Sequence, residues 1–596
     1  MTTHAPEEPA AARSAAHRTE ESSAAARRLT VVPDGSPGSL EAVAVEAVLG
    51  ANPFVSLSPP QIVLAAGRLL TRLGLRPRVV AKHTAQLARE LAIVVAGRSD
   101  LAPAKGDKRW SDPAWQLNPL YRRLQQTYLA VCATIDQAIT DADLDIKSDL
   151  RGRFAMGIVT EALAPTNSLA NPAALKRAFD TGGASLVKGA RALVSDLRHN
   201  GGMPSTVDRR SFVVGETVAR TPGAVVFHNE VLELIQYTPT TPQVHGTPVI
   251  YVPPQINKFY ILDLAEGRSL TEYGVAQGIP WFTVSWRNPT KEQSDWDLST
   301  YAGALIEALD AVRDITGSPD THLLGMCAGG MTAAAMMGHL AATSQLDRVR
   351  SLTLLVNMLD TSAPTQLGSL ASRRAIETAI AKTRRQGVHS GRDMSRLFAW
   401  LRPNDLVWNY AVNNWLLGQD PPAFDVLAWN ADSTELPAGL YEQYLHMYEG
   451  NLLRASGGLT ILGTPIDLST IDTDTYCMAG STDHIVSWRA SYQTTQVLGG
   501  KVEFVLSNAG HIQSMVNPVG GAKASYRRGE EVGPDPDAWL AASREVKGTW
   551  WEDWTSWLAE RSAPDGPAPE MLGSAGYPVQ DRAPGRYVTG GTYARG

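Results

Sequence analysis

Thr321-His322-Leu323-Leu324-Gly325-Met326-Cys327-Ala328-Gly329-Gly330-Met331 holds the junction on which the fold reading turns. An apolar run of strand length leads into Gly325-x-Cys327-x-Gly329, and Met331 to Leu340 follows with helical character. Small residues flanking the central position permit a sharp strand-to-helix turn and close helix packing, which leaves the side chain at the apex presented above a sheet. A lone cysteine in apolar sequence is more often an inert small hydrophobe. Cys327 therefore needs partners elsewhere in the chain.

Outward from this junction, short β-branched runs alternate with helical stretches, the pattern of a parallel sheet with crossover helices. The expected strands are Thr247 to Val252, Trp281 to Ser285, Thr321 to Met326, Ser351 to Val356, Thr475 to Ala479 and Val502 to Leu506. Two later strands run into loops of the right chemistry: Met478-Ala479-Gly480-Ser481-Thr482-Asp483 and Val505-Leu506-Ser507-Asn508-Ala509-Gly510-His511. Nucleophile, acid and base then follow one another in the chain order of an α/β-hydrolase. In such a triad His511 takes the thiol proton of Cys327, while Asp483 sets the imidazole tautomer and stabilises the imidazolium. His484 is a rival base, but it follows Asp483 directly and neighbouring loop residues diverge, so a structural or substrate-positioning role suits it better. The loop Val252-Pro253-Pro254-Gln255-Ile256-Asn257-Lys258 leaves the first of these strands where the fold supplies an oxyanion donor. The expected pair of donors is the N–H of Ile256 and the N–H of Ala328.

With 596 residues, 44% of them hydrophobic and 19% charged, the chain has an ordinary globular composition and exceeds the size at which one core stops growing. Residues 1–40 are rich in Ala, Glu, Ser and Pro and read as a disordered extension. Residues 41–205 space apolar residues at three and four, as in Gln61 to Leu70 and Leu120 to Leu129, and form a helical N-terminal domain. Residues 206–596 form the catalytic domain. Within it, about 361–470 interrupts the strand alternation for far longer than a normal connection, which points to a cap inserted over the sheet.

A net charge of −6 offers no broad basic surface, so nucleic acid is excluded as a partner class. No apolar run approaches the ~20 residues needed to span a bilayer, and no secretory h-region stands at the N-terminus. Three cysteines, Cys132, Cys327 and Cys477, are too few and too scattered for a disulfide framework, which fits a reducing compartment. Cys132 and Cys477 lie in apolar sequence and read as core thiols. The histidines show no metal-binding spacing, so no metal is expected. Trp550, Trp554 and Trp557 share one side of a helix, which serves either packing on the catalytic domain or contact with an apolar surface.

Several ordered segments resemble the polyhydroxyalkanoate synthases. They include Asp107-Lys108-Arg109-Trp110-Ser111-Asp112-Pro113, Asn200-Gly201-Gly202-Met203-Pro204, Pro253-Pro254-Gln255-Ile256-Asn257-Lys258, Ser285-Trp286-Arg287-Asn288-Pro289, Arg402-Pro403-Asn404-Asp405 and Trp429-Asn430-Ala431-Asp432-Ser433-Thr434. The segment from Leu506 to Pro518 is similar to class II synthases, which favour medium-chain 3-hydroxyacyl groups.

The resemblance implies an acyltransferase that polymerises (R)-3-hydroxyacyl-coenzyme A thioesters with release of coenzyme A, through an acyl group carried on Cys327. It places the family's catalytic Cys, Asp and His on Cys327, Asp483 and His511. It also implies no cofactor beyond the coenzyme A of the substrate, a cytoplasmic enzyme on polyester granules, and a homodimer. A thioester hydrolase or polyester depolymerase of the same fold is the competing enzyme reading; a granule scaffold without activity is a third.

Overall fold

The structure, a computed structural model, describes Gly67 and residues 71–593, except Asp145, residues 363–372, Arg402 and His484. The expected disordered extension and, apart from Gly67, the expected helix from Gln61 to Leu70 lie outside the described residues.

Helices fill the first part of the described chain: α1 (Pro77–Val95), α2 (Pro119–Asp141), α3 (Ile146–Ala162), α4 (Pro172–Asp180) and α5 (Ala184–His199). Asn118 caps α2 by accepting from the N–H groups of Leu120 and Tyr121, and Pro119 opens the helix where its missing N–H costs nothing.

An 11-stranded sheet follows. In chain order its strands are β1 (Gly223–His228), β2 (Leu232–Tyr237), β3 (Val249–Val252), β4 (Trp281–Trp286), β5 (Thr321–Met326), β6 (Val349–Leu355), β7 (Thr475–Gly480), β8 (Val502–Ser507), β9 (Ser525–Arg528), β10 (Arg544–Lys547) and β11 (Asp581–Arg582). Their spatial order is β10-β9-β8-β7-β6-β5-β3-β4-β2-β1-β11. The six strands expected from the sequence are β3 to β8, and all pairings among them are parallel. The remaining strands pair antiparallel at the two edges. Parallel strands buried on both faces read as continuous apolar runs, and every residue of β4, β5 and β7 is buried.

The crossover helices α6 (Leu298–Thr316) and α7 (Ala328–Ala342) cover the sheet. Asp297 and Thr300 form a reciprocal cap at the start of α6, and Gly317 ends it with φ 68°. Helix α7 is Ala-, Gly- and Met-rich and buried over almost its whole circumference, as a helix pressed between sheet and neighbours must be.

Between β6 and β7 the chain leaves the sheet and forms, among other elements, α8 (Arg373–Gln386), two π-helical turns at Asn404–Trp408 and Val412–Leu416, and α9 (Ala438–Gly450). The start of this insertion is tied to the end of α9. One Asp360 oxygen accepts from the Ser362 N–H and from Asn451 Nδ2, both at 2.9 Å, while Asn451 Oδ1 accepts from the Thr361 N–H at 2.8 Å. The N-terminal helices grip the insertion as well: Trp415 Nε1 donates to Asp196 Oδ2 at 2.8 Å and Asn414 Nδ2 to the Ser205 carbonyl at 2.7 Å.

Helix α10 (Trp550–Ala559) closes the catalytic part. Trp550, Trp554 and Trp557 are buried, with their indole N–H groups donating to the Ser514 carbonyl, Thr353 Oγ1 and Glu503 Oε1. Of the two uses open to these rings, the structure shows packing on the sheet. Trp554 is fully buried, so Trp554→Ala should lower unfolding free energy by about 3–5 kcal/mol, read as a shift of the urea unfolding midpoint.

Candidate active site

The turn at Cys327 dictates what surrounds it. Its backbone adopts φ 49° and ψ −124°, a conformation that costs a non-glycine residue about 1–3 kcal/mol and persists only where neighbours enforce it. Here the Cys327 N–H donates to the Leu355 carbonyl at 2.9 Å, and the Cys327 carbonyl accepts from Asn357 Nδ2 at 2.6 Å. Glycine is required on both sides. A Cβ on Gly325 would stand 2.5 Å from Gly330 Cα, and one on Gly329 would stand 2.3 and 2.4 Å from the carbonyl oxygens of Val252 and Pro253. The loop after β3 therefore lies directly against the elbow.

Asp483 follows β7 and His511 follows β8, two adjacent parallel strands. His511 Nδ1 and Asp483 Oδ2 are 2.7 Å apart, with both side chains withdrawn from solvent. Asp483 Oδ1 accepts from the N–H groups of Ile485 and Val486 at 2.7 and 3.0 Å, so the carboxylate is satisfied on both oxygens. With Asp483 as acceptor, Nδ1 carries the proton and Nε2 is left for a different partner. Nε2 is buried, and Cys327 is the side chain besides Asp483 that acts on the ring through a hydrogen bond.

Burial pulls the imidazole pKa down, but the Asp483 charge and hydrogen bond, joined by a smaller contribution from Cys327, push it up to about 10. That influence of Cys327 on the ring puts the thiol beside His511. Of the three expected residues, His511 and Asp483 are joined by a hydrogen bond, and the half-buried Cys327 faces the same ring. Ala328 opens α7, so its N–H has no acceptor within the helix. Ile256 is buried in the loop against the elbow. His484 lies outside the described residues. Of the two cysteines expected in the core, Cys477 is buried on β7 and Cys132 is half-buried on α2.

Several residues of the site were not expected. Asn357, which holds the Cys327 carbonyl, stands just beyond the C-terminal end of β6, the edge of a parallel sheet where sites form. That position was legible from the expected strand alone. Tyr444, on α9 of the insertion, reaches the loop against the elbow by donating from its hydroxyl to Gln255 Oε1 at 2.9 Å. Nothing local in the sequence links α9 to the elbow.

Fold and site together define an enzyme of the α/β-hydrolase fold with cysteine at the elbow. A family model for the alpha/beta hydrolase fold matches residues 272–518, and one described as the N-terminus of poly-beta-hydroxybutyrate polymerase (PhaC) matches residues 106–274. Poly(3-hydroxyalkanoate) polymerase 1 of Ectopseudomonas oleovorans is 46% identical over 549 residues, 92% of this chain and 98% of its own. Polymerase 2 of the same organism is 47% identical over 522 residues, 87% and 93% of the two chains. The polymerase subunit PhaC of Cupriavidus necator is 39% identical over 502 residues, 83% and 84% of the two. The chain belongs to the poly(3-hydroxyalkanoate) polymerase family. Among the described residues, no helix is long and apolar enough to cross a membrane.

The His511–Asp483 pair makes stability depend on pH. Below about 6.5, the ordinary imidazole value, His511 is protonated in folded and unfolded chains alike; between 6.5 and about 10 only the folded chain keeps the proton. The pair's stabilisation is therefore full below about 6.5 and lost as pH rises through about 10. The difference in unfolding midpoint between wild type and His511→Gln should shrink steadily over that window.

Proposed function

We propose that this polymerase joins (R)-3-hydroxyacyl groups from coenzyme A thioesters into a polyester through an acyl group carried on Cys327, with His511 as the base and Asp483 as its orienting acid. The observation that carries the reading is the thiol at the elbow beside an imidazole whose other nitrogen lies 2.7 Å from a buried carboxylate.

The raised imidazole pKa holds on His511 the proton that Cys327 gives up, and the sulfur attacks the thioester carbonyl. The tetrahedral oxyanion is stabilised by the N–H groups of Ala328 and Ile256, the C–S bond to coenzyme A breaks, and the leaving sulfur takes the proton from His511. One thioester replaces another, so the acyl group stays activated. Acylation also removes the contribution of Cys327 to the imidazole, which lowers its proton affinity and readies it to accept the proton of an attacking 3-hydroxyl. That attack forms the ester and returns the thiol. The reaction calls for no cofactor beyond the coenzyme A of the substrate.

Water must be kept from the acyl-enzyme, or free acid forms in place of polymer. The hydrogen bond from Tyr444, on α9, to Gln255 in the loop against the elbow supports a covering role for the insertion at about 361–470. His484 retains the substrate-positioning role read from its place after Asp483. The resemblance further assigns the enzyme to the cytoplasmic surface of polyester granules, as a homodimer, which granule fractionation and light scattering check.

Cys327→Ala should abolish both coenzyme A release and the acyl adduct on the peptide containing residue 327, read by thiol titration and mass analysis. Polymer formation by that variant would overturn the assignment. Asp483→Asn should lower coenzyme A release by about 10²- to 10⁴-fold, because the imidazole loses its tautomer and its cationic stabilisation.

A further inference from the structure

The loop that carries Ile256 is held almost entirely by its carbonyl groups. The Pro253 carbonyl accepts from Trp286 Nε1 at 2.8 Å, that of Gln255 from Thr434 Oγ1 at 2.6 Å, that of Ile256 from the Thr434 N–H at 3.4 Å, and that of Lys258 from Trp429 Nε1 at 2.8 Å. Trp286 is on β4; Trp429 and Thr434 belong to the insertion. Asn257 and Ser433 form an isolated antiparallel bridge between the same two segments.

The Gln255 side chain continues the connection. Its Oε1 accepts from the Tyr444 hydroxyl and its Nε2 donates to Thr332 Oγ1, both at 2.9 Å, and the Thr332 hydroxyl donates to the Ala328 carbonyl at 3.1 Å. Gln255, Thr332, Thr434 and Tyr444 are all buried. A polar chain shielded from water is costly to break, since each group left without a partner loses its hydrogen bond with no water to replace it.

In a trans peptide the carbonyl of one residue and the N–H of the next point in opposite directions. The only cis peptide bond among the described residues is Ala583–Pro584. Once Thr434 takes the Gln255 carbonyl, the N–H of Ile256 must point away from the insertion. Among the described residues no acceptor takes it.

Resting on the acyl-transfer role set out above, we propose that Thr434 is a positioning residue: its hydroxyl fixes the Gln255–Ile256 peptide so that the Ile256 N–H faces the oxyanion forming on the Cys327 acyl group. Thr434 and Tyr444 ride on the insertion, whereas Thr332 and Ala328 ride on the helix behind the nucleophile. The oxyanion site is therefore complete only while the insertion is seated. Lifting the insertion to pass coenzyme A or polymer releases the peptide and disables attack on the thioester by any nucleophile, water included. Opening and hydrolysis are thereby kept apart.

The test is Thr434→Val, which keeps the shape and the backbone N–H but removes the hydroxyl. With a 3-hydroxyacyl-coenzyme A substrate, kcat for coenzyme A release should fall about ten- to a hundredfold at nearly unchanged KM, and Thr434→Ser should restore most of it. Alkylation of Cys327 by iodoacetamide develops no oxyanion, so its rate in Thr434→Val should match wild type. A wild-type kcat, or alkylation lost in parallel with turnover, would overturn the role of Thr434. If Thr434→Val does not accumulate as folded protein, Tyr444→Phe interrogates the same chain from the Gln255 side chain: lowered kcat with intact alkylation supports the coupling, and unchanged kcat sinks it. Failure of the underlying reading shows differently, as coenzyme A release by Cys327→Ala.

Discussion

The backbone reversal at Cys327 sets the terms for everything around it. A positive φ at a non-glycine residue is held in place by the Leu355 carbonyl on one side and Asn357 on the other, and it demands glycine at positions 325 and 329 so that strand, helix and the loop after β3 can meet at van der Waals distance. The surrounding parallel sheet has one task in consequence, to deliver three strand ends to the same edge at fixed spacing.

Electrostatics completes what geometry begins. A carboxyl group with both oxygens hydrogen-bonded, placed against a buried imidazole, raises the pKa of a group that burial alone would neutralise. The cost of burying Asp483 is offset by two backbone N–H groups and one imidazole, so that no charge lies buried and unpaired.

Much of this was legible in the residues. The six parallel strands announce themselves as apolar runs because both faces are covered, and the G-x-C-x-G junction with Asp483 and His511 in order specifies the elbow and its partners. The edge strands were not legible: Ser525–Arg528 and Arg544–Lys547 are short, polar and half-exposed, and they exist because β8 offers a free edge, a property of the assembled sheet. The contributions of Thr434 and Tyr444 were hidden for a related reason. They lie 179 and 189 residues from Gln255 in the chain, and no local pattern encodes a hydrogen bond across that span.

Helix α5 is fastened to the π-helical turns of the insertion through Asp196 and Trp415, and Gly189 lies so close to Trp415 that a Cβ there would stand 2.0 Å from its carbonyl oxygen. The insertion is thus fastened from above as well as from below. Any displacement of the insertion must either carry the amino-terminal helices along or part an indole from its carboxylate.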